Sequence, residues 1–294
     1  MQREADQSVQ IIEIDVIVFG YGRITQQLIK KLQQSNISVI CVTNNEHSQR
    51  EINFSEDIQF YSRGQVVNTK LNSKTAIFSW RNADPLLNNA QRIQNWLSSN
   101  QFSADRSFLL SSGAVYQDCL SAQGEADTNL EKTFDRGKKL FLEESLLTIF
   151  QQKKIKHMNL RISNTYGAGL DYGFIGSAVN SILSGSPIKI FEKRNVIRDY
   201  VSVNDVIYAI NELIKLDSSE RAVNLSTGIG TSVSQVLEIF KSCGYFLENR
   251  IFEIAPSDLK HSSILSPQLL SSMIDWQPSN LPNGIAELMS DKFI

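Results

Sequence analysis

Two glycines carry the first piece of chemistry in this chain, and a threonine leaves their pattern incomplete. Within DVIVFGYGRITQQLIKKL (15–32), the apolar run Val16-Ile17-Val18-Phe19 leads into Gly20-Tyr21-Gly22, after which Ile24, Leu28 and Leu32 recur at four-residue spacing. A buried strand, a glycine turn and a helix in that order build a phosphate site. Glycine lets the main chain approach a pyrophosphate, and the first N–H groups of the helix point at the anion. Gly20, Gly22, Arg23 and Ile24 are therefore candidate cofactor contacts. The dinucleotide pattern G-x-G-x-x-G, or its form ending in Ala, ends here in Thr25, so a plain strand–helix turn is the alternative reading. The run ISVICV (37–42) reads as a second strand. An acid at the end of that strand takes the adenosine ribose hydroxyls in such folds. Here Thr43, Asn44 and Asn45 follow, Glu46 is the first acid, and Arg23 and Arg50 lie close in sequence. Asn44 thus stands at the cofactor position, and the arginines lean toward a 2′-phosphate, that is NADP over NAD; solvated surface arginines are the alternative.

Other chemistries find little support. The three histidines, His47, His157 and His261, have no ligand spacing, so no metal site is expected. Cys41, Cys119 and Cys243 are odd in number and widely spaced, as expected for reduced thiols in a cytoplasmic protein. A formal net charge of −2 gives no reason to expect nucleic acid or an anionic membrane as partner. The opening MQREADQSVQ does not read as a signal peptide, and no apolar run approaches the ~20 residues of a membrane helix.

The elements that must position these residues alternate along the chain. Strands are expected at 16–19, 37–42, 58–61, 75–80, 106–112, 155–160 and 222–225, with 44–74 otherwise polar and weakly patterned. Asp84 and Pro85 read as the cap and first residue of a helix carrying Leu86, Ala90, Ile93 and Leu97. A second helix is expected at 138–150. A third, capped by Asn204 or Asp205, presents Val206, Ala209, Ile210 and Leu213. A fourth opens on the capping box Ser232/Gln235 and stops at Gly244. This alternation predicts an α/β fold with a doubly wound parallel sheet. A chain of 294 residues can bury roughly 75% of its unfolded surface, enough for such a unit with an attached lobe.

Five pieces of the chain together resemble the extended short-chain dehydrogenase/reductase family, in its nucleotide-sugar epimerase, dehydratase and reductase branch. They are the glycine turn, Ser111-Ser112-Gly113-Ala114-Val115-Tyr116, a lysine at 138 or 139, Arg161-Ile162-Ser163-Asn164-Thr165-Tyr166-Gly167, and the run from Arg198-Asp199-Tyr200-Val201 to Val206. The resemblance implies a Rossmann-type fold with a smaller C-terminal substrate lobe. The cofactor domain would be 1–166, also receiving about 198–228, and the substrate lobe 167–197 with 229–294. It implies hydride transfer between a nicotinamide and a sugar carbon, coupled to proton transfer at the sugar oxygen. The family's phenol does the latter, with its pKa lowered by a nearby lysine ammonium.

Carried over residue by residue, Ser112 is the catalytic hydroxyl, Lys138 or Lys139 the lysine that also holds the cofactor ribose, Asn164 and Arg198 the contacts to the substrate diphosphate, and Tyr116 a further substrate contact. The family writes its phenol as Y-x-x-x-K. With Lys138 as partner, the preferred register, the tyrosine place holds Phe134; with Lys139 it holds Asp135. Asp135, Glu125, Asp127 and Tyr116 are the groups that could stand in. Bulky Trp80 and Arg81 occupy places where the family has small residues, and Trp276 reads as structural. The resemblance thus implies an NAD(P)-dependent enzyme of a nucleoside-diphosphate sugar, catalysing 4-keto reduction or epimerisation in the cytoplasm, with homodimerisation through about 85–100 and 138–150. A non-catalytic nucleotide-binding subunit and a reductase of small carbonyl compounds are the other readings.

Overall fold

Runs of β-branched and aromatic residues separated by amphipathic segments leave the chain few ways to bury its apolar surface other than a helix-covered sheet. The structure, a computed structural model, describes residues 10–43, 59–61, 69–79, 102–127, 134–190, 195–245, 251–253 and 262–290. The central sheet is built from β1 (Gln10–Phe19), β2 (Val39–Val42), β3 (Gln59–Tyr61), β4 (Thr69–Phe78), β5 (Phe102–Ser112), β6 (Lys156–Ile162) and β10 (Ala222–Leu225). Its order is β10-β6-β5-β4-β1-β2-β3. The pairs β1–β2, β1–β4, β2–β3 and β4–β5 are parallel. This is the doubly wound, Rossmann-type arrangement, and the strand order reverses between β1 and β4, where such sheets bind their ligands. The expected helix after Asp84 and the residues Trp80 and Arg81 lie outside the described residues.

The chain divides into two compact units. The first comprises Met1–Leu110, Phe141–Asn159 and Ser219–Arg221, and the second Ser111–Leu140, Leu160–Ser218 and Ala222–Ile294. In the first, Ile17, Phe19, Ile40, Leu71, Phe78, Phe102, Leu146 and Phe150 are among the buried core. The Phe19 and Phe78 rings stack at 4.6 Å, and Phe102 meets Phe19 edge-on at 5.5 Å. Helix α1 (Arg23–Gln34) buries Leu28, Ile29 and Leu32. Helix α2 (Phe134–Gln152) opens earlier than the expected 138.

In the second unit, β7 (Asn164–Tyr166), β9 (Ile197–Ser202) and β11 (Gly230–Ser232) form a three-stranded sheet in the order β11-β9-β7. Strand β8 (Ile188–Ile190) pairs with β12 (Ile251–Glu253). Helices α3 (Gly173–Ser184), α4 (Val203–Leu213), α5 (Val233–Ser242), α6 (Gln268–Met273) and α7 (Leu281–Ser290) complete it. Its core includes Ile175, Val179, Ile188, Tyr200, Val236, Phe240, Ile285 and Leu288. The capping box of α5 forms as expected, with Ser232 accepting from the Gln235 amide and Gln235 from the Ser232 amide.

Two local expectations are corrected. Strand β1 begins six residues before Val16 because β4 also starts early, at Thr69, and the two remain in register from Gln10↔Thr69 to Phe19↔Phe78. The extension was hidden by its polar residues, such as Glu13, which accepts a bond from Asn72 at 2.7 Å across the strands. Helix α4 is capped by Ser202, whose hydroxyl accepts the Asn204 N–H; Asp205 instead receives the amide and hydroxyl of Ser279. The segment after Ser112 leaves the strand in a single 3₁₀ turn, Gly113–Val115.

Buried polar groups tie β5 to β6 in the first unit. The His157 Nε2–H donates to Asn159 Oδ1 at 3.1 Å, so Nδ1 accepts the Ser107 hydroxyl at 2.8 Å, and the ring stacks on Phe150. Burial pushes the imidazole pKa down to about 4 from the ordinary 6.5. The folded state therefore binds no proton here until well below the pH at which the unfolded chain does. Stability is fully present above pH 6.5 and is lost as pH falls toward 4, a loss on the order of 3 kcal/mol. Urea titrations at pH 7 and 4.5 should show this fall, and His157→Gln should show a smaller difference between the two pH values than the native chain.

Candidate active site

The glycine turn lies at the carboxyl end of β1, in the first unit. Its two glycines are there for different reasons. Gly20 has φ +100°, and a Cβ at this position would run into the Ser79 carbonyl oxygen, so backbone and packing both require glycine. The turn is held by Gly20 N–H donating to Val42 O at 3.0 Å and Ser79 N–H to Phe19 O at 2.8 Å. Gly22, the N-cap of α1, is extended at φ −98° and ψ 175°, a conformation open to any residue. Among the described residues a Cβ on Gly22 would meet nothing closer than Thr25 Oγ1 at 3.9 Å and Ser79 Oγ at 4.0 Å. Among the described residues no contact demands its missing side chain, and the place lies at the mouth of a helix N-terminus. A dinucleotide pyrophosphate approaching the main chain fits this cradle. Thr25, where the pattern has Gly or Ala, is fully buried. Its hydroxyl oxygen accepts the Gly22 N–H at 2.8 Å and lies 2.9 Å from Gly22 O and 3.1 Å from Gly20 O. Ile24 is half-buried in the first turn of α1, as is Arg23. Asn44 lies outside the described residues.

In the second unit, Ser112 ends β5, and its hydroxyl oxygen accepts the Ala114 N–H at 3.2 Å. An oxygen engaged this way keeps its own proton for another acceptor. The following turn is wedged between two supports. A Cβ on Gly113 would lie 2.8 Å from Leu265 Cδ1. On the other side Tyr116 is 1% exposed, and its phenol is fully occupied. Arg161 Nη1–H donates to Tyr116 Oη at 2.8 Å, and Tyr116 O–H donates to Asn224 Oδ1 at 2.9 Å. The guanidinium also lies over the ring, 4.9 Å from its centroid. Burial pushes the phenol pKa up, against the pull of Arg161. Tyr116 thus lies in the core, tying the turn to β6 and β10, and is withdrawn from the set of substrate contacts. Glu125 Oε1 accepts the Asn224 N–H at 2.6 Å, and Asp127 Oδ2 accepts the Gly124 N–H at 2.7 Å. Lys139 is half-buried on α2. The side chains of Phe134, Asp135 and Lys138 lie outside the described residues, although their backbone is the first turn of that helix.

Asn164 and Arg198 are brought onto neighbouring parallel strands, since Asn164 is in register with Tyr200 of β9. The Asn164 amide donates to the Asp199 carbonyl at 3.2 Å. Beside Arg198, the Asp199 carboxylate is fully buried. Its Oδ1 accepts from Thr227 N at 3.1 Å and Thr227 Oγ1 at 2.7 Å, and its Oδ2 from Gly228 N at 2.9 Å. Weaker contacts at 3.4 Å come from Ser163 Oγ and Leu265 N. Burial raises its pKa while these bonds pull it down. Arg161, Asn224 and Asp199 are the buried polar residues that sequence reasoning did not assign to this scaffold. The available signal was the presence of polar residues inside otherwise apolar strands. Trp276 is structural as expected, its indole N–H donating to Ser226 O at 2.9 Å. All three cysteines are free thiols. Among the described residues no group of three or more His, Cys, Asp or Glu side chains could hold a metal ion, and no helix is long and apolar enough to cross a membrane.

The sheet order and the strand–glycine turn–helix unit define a Rossmann-type α/β fold. Residues 16–226 match the family described as "NAD dependent epimerase/dehydratase family", and the chain belongs to that family. It is 27% identical over 191 residues to a dTDP-4-dehydro-6-deoxyglucose reductase of Escherichia coli, a match covering 62% of this chain and 59% of that protein. The chain therefore spans about three-fifths of this curated relative's length. In fold it resembles UDP-glucose 4-epimerase of Thermotoga maritima solved with UDP-glucose, with a TM-score of 0.77 and 19% identity, covering 94% of this chain and 98% of that one. It also resembles UDP-glucuronic acid 4-epimerase of Bacillus cereus solved with UDP-glucuronic acid and NAD, with a TM-score of 0.77 and 16% identity, covering 95% and 98%.

The buried Asp199 network predicts a large structural effect. Asp199→Asn places an amide N–H₂ against main-chain N–H groups that now face a carboxylate oxygen. It should lower unfolding stability by about 2–4 kcal/mol, measured by urea denaturation.

Proposed function

We propose that this chain is an NAD(P)-dependent oxidoreductase or epimerase acting on a nucleoside-diphosphate sugar, by 4-keto reduction or epimerisation. The observation that carries the reading is Gly22, a glycine that neither its backbone conformation nor its packing requires, at the mouth of the first helix of a doubly wound sheet. Family membership supports the reaction class, and the relatives' substrates support a sugar nucleotide.

In this reading Gly20, Gly22, Arg23 and Ile24 hold the dinucleotide pyrophosphate, with Asn44 further along the cofactor. A bound nicotinamide would supply the hydride acceptor or donor. Ser112 hydrogen-bonds the sugar oxygen at the reacting carbon, and Lys138 or Lys139 holds the cofactor ribose. Asn164 and Arg198 take the substrate diphosphate, for which a guanidinium fork is well shaped. The choice between cofactors falls to NADP on the strength of Arg23 and the missing acid after β2; the NAD bound to the Bacillus cereus enzyme supports the other choice. The substrate lobe is 167–197 with 229–294. The protein works in the cytoplasm as a homodimer pairing through the helix that contains 138–150, where Phe141 is 47% exposed.

Two experiments test the reading. Gly22→Ala should leave the chain folded, because its φ and its surroundings accept a methyl group and alanine at an N-cap costs only about 1 kcal/mol. It should nevertheless weaken NADH and NADPH binding in calorimetric titrations; equal binding by the variant would return the turn to a structural role. Arg198→Ala should weaken binding of UDP-glucose or dTDP-glucose by more than ~1.5 kcal/mol, about tenfold, as expected for loss of a charge-assisted hydrogen bond. Unchanged affinity would remove Arg198 from the diphosphate contacts.

A further inference from the structure

The residue that departs from the dinucleotide pattern is bonded to the main chain of the glycine turn at three points. Thr25 occupies the third position of α1, and its hydroxyl reaches back 2.8 Å to the N–H of the N-cap Gly22. This is the helix-side half of a capping box, made by the third residue alone because the N-cap has no side chain to supply the other half. The single hydroxyl proton is shared between Gly22 O at 2.9 Å and Gly20 O at 3.1 Å. One buried oxygen therefore engages the main chain at both glycines. In the G-x-G-x-x-G pattern the third small residue permits close helix–strand packing. Here a buried threonine is accommodated at that place, and its hydroxyl adds three polar contacts that glycine or alanine lacks.

We propose that Thr25 is a positioning residue for the dinucleotide: its hydroxyl braces the Gly20–Gly22 turn in the shape that receives the pyrophosphate at the start of α1. The inference rests on the cofactor reading given above. The brace acts before any ligand arrives. Without it, Gly22 N–H and the two glycine carbonyls lose a fixed partner, and the turn must be ordered at the moment of binding. That ordering cost appears as lost affinity. Alanine is accepted at this place by the dinucleotide pattern and favours helix more than threonine does. Restoring the family pattern with Thr25→Ala should therefore weaken cofactor binding, although pattern matching alone expects the opposite.

The test compares Thr25→Ala with Thr25→Ser, which both lose the methyl group and differ in the hydroxyl. NADH and NADPH affinities are measured by calorimetry for the native chain and both variants, with thermal melts to confirm folding and amide exchange at Gly22 by NMR. The expected result is an affinity for Thr25→Ser within about twofold of the native chain. For Thr25→Ala an affinity lower by about five- to tenfold is expected, the scale of one net hydrogen bond, together with faster exchange at Gly22. Equal or tighter binding by Thr25→Ala than by Thr25→Ser overturns the brace while leaving the cofactor reading intact. A native chain that binds neither dinucleotide overturns the cofactor reading, and the brace as a cofactor device with it.

Discussion

A carboxylate buried away from solvent must be paired, and in this protein that constraint falls on Asp199. Its side chain holds the Thr227–Gly228 main chain, the Thr227 hydroxyl and, more loosely, Ser163 and Leu265. Its own main chain donates to Ser263 O and accepts from Asn164. Strands β7 and β9, the loop before β11 and the segment around 263–265 therefore meet at one residue. Bringing this charge out of water is costly unless every bond forms, so the arrangement is close to all-or-none. Arg198 precedes Asp199 on β9, and Asn164 is fixed to its carbonyl. The two residues assigned to the substrate diphosphate are thus carried on a frame that Asp199 holds together.

The two motif glycines show how one residue type can be used for structure and for ligand access within three positions. Gly20 answers to backbone geometry, since its positive φ and the Ser79 carbonyl both exclude a side chain. Gly22 answers to neither, and the difference is invisible in sequence, where both read as G in G-x-G. Thr25 shows the reverse case. By pattern it is a departure, yet its hydroxyl is bonded to the turn that the pattern describes. A pattern records which residues usually fit a shape, whereas the hydrogen bonds show how this chain makes that shape.

Legibility followed the same division. The parallel doubly wound sheet, the first helix with its buried Leu28 and Leu32, and the Ser232/Gln235 capping box were readable because apolar period and cap chemistry act locally. The early start of β1 was not readable, because Gln10–Ile14 becomes strand only through its pairing with Thr69–Ser73. The cap of α4 was misassigned because Ser202, Asn204 and Asp205 can all cap, and the Ser279 contacts that draw Asp205 away are some seventy residues distant in sequence. Tyr116 was expected as a substrate contact from the family motif that it ends. Only the fold brings Arg161 and Asn224 to its hydroxyl.

That last placement bears on the proton chemistry. Four groups could have stood in for a phenol absent from positions 134 and 135: Tyr116, Glu125, Asp127 and Asp135 itself. The Tyr116 hydroxyl is closed off by Arg161 and Asn224, and burial raises its pKa further from neutrality. Glu125 is engaged by the Asn224 amide and Asp127 by the Gly124 amide, so both serve the loop that carries Ser112. A group that must hold a scaffold through hydrogen bonds is poorly suited to exchange its proton in every turnover, because each exchange would break the bonds that position it. In the proposed reaction the groups left for the proton step are Asp135, in the first turn of α2, and the Ser112 hydroxyl, which retains a proton while its oxygen accepts from Ala114.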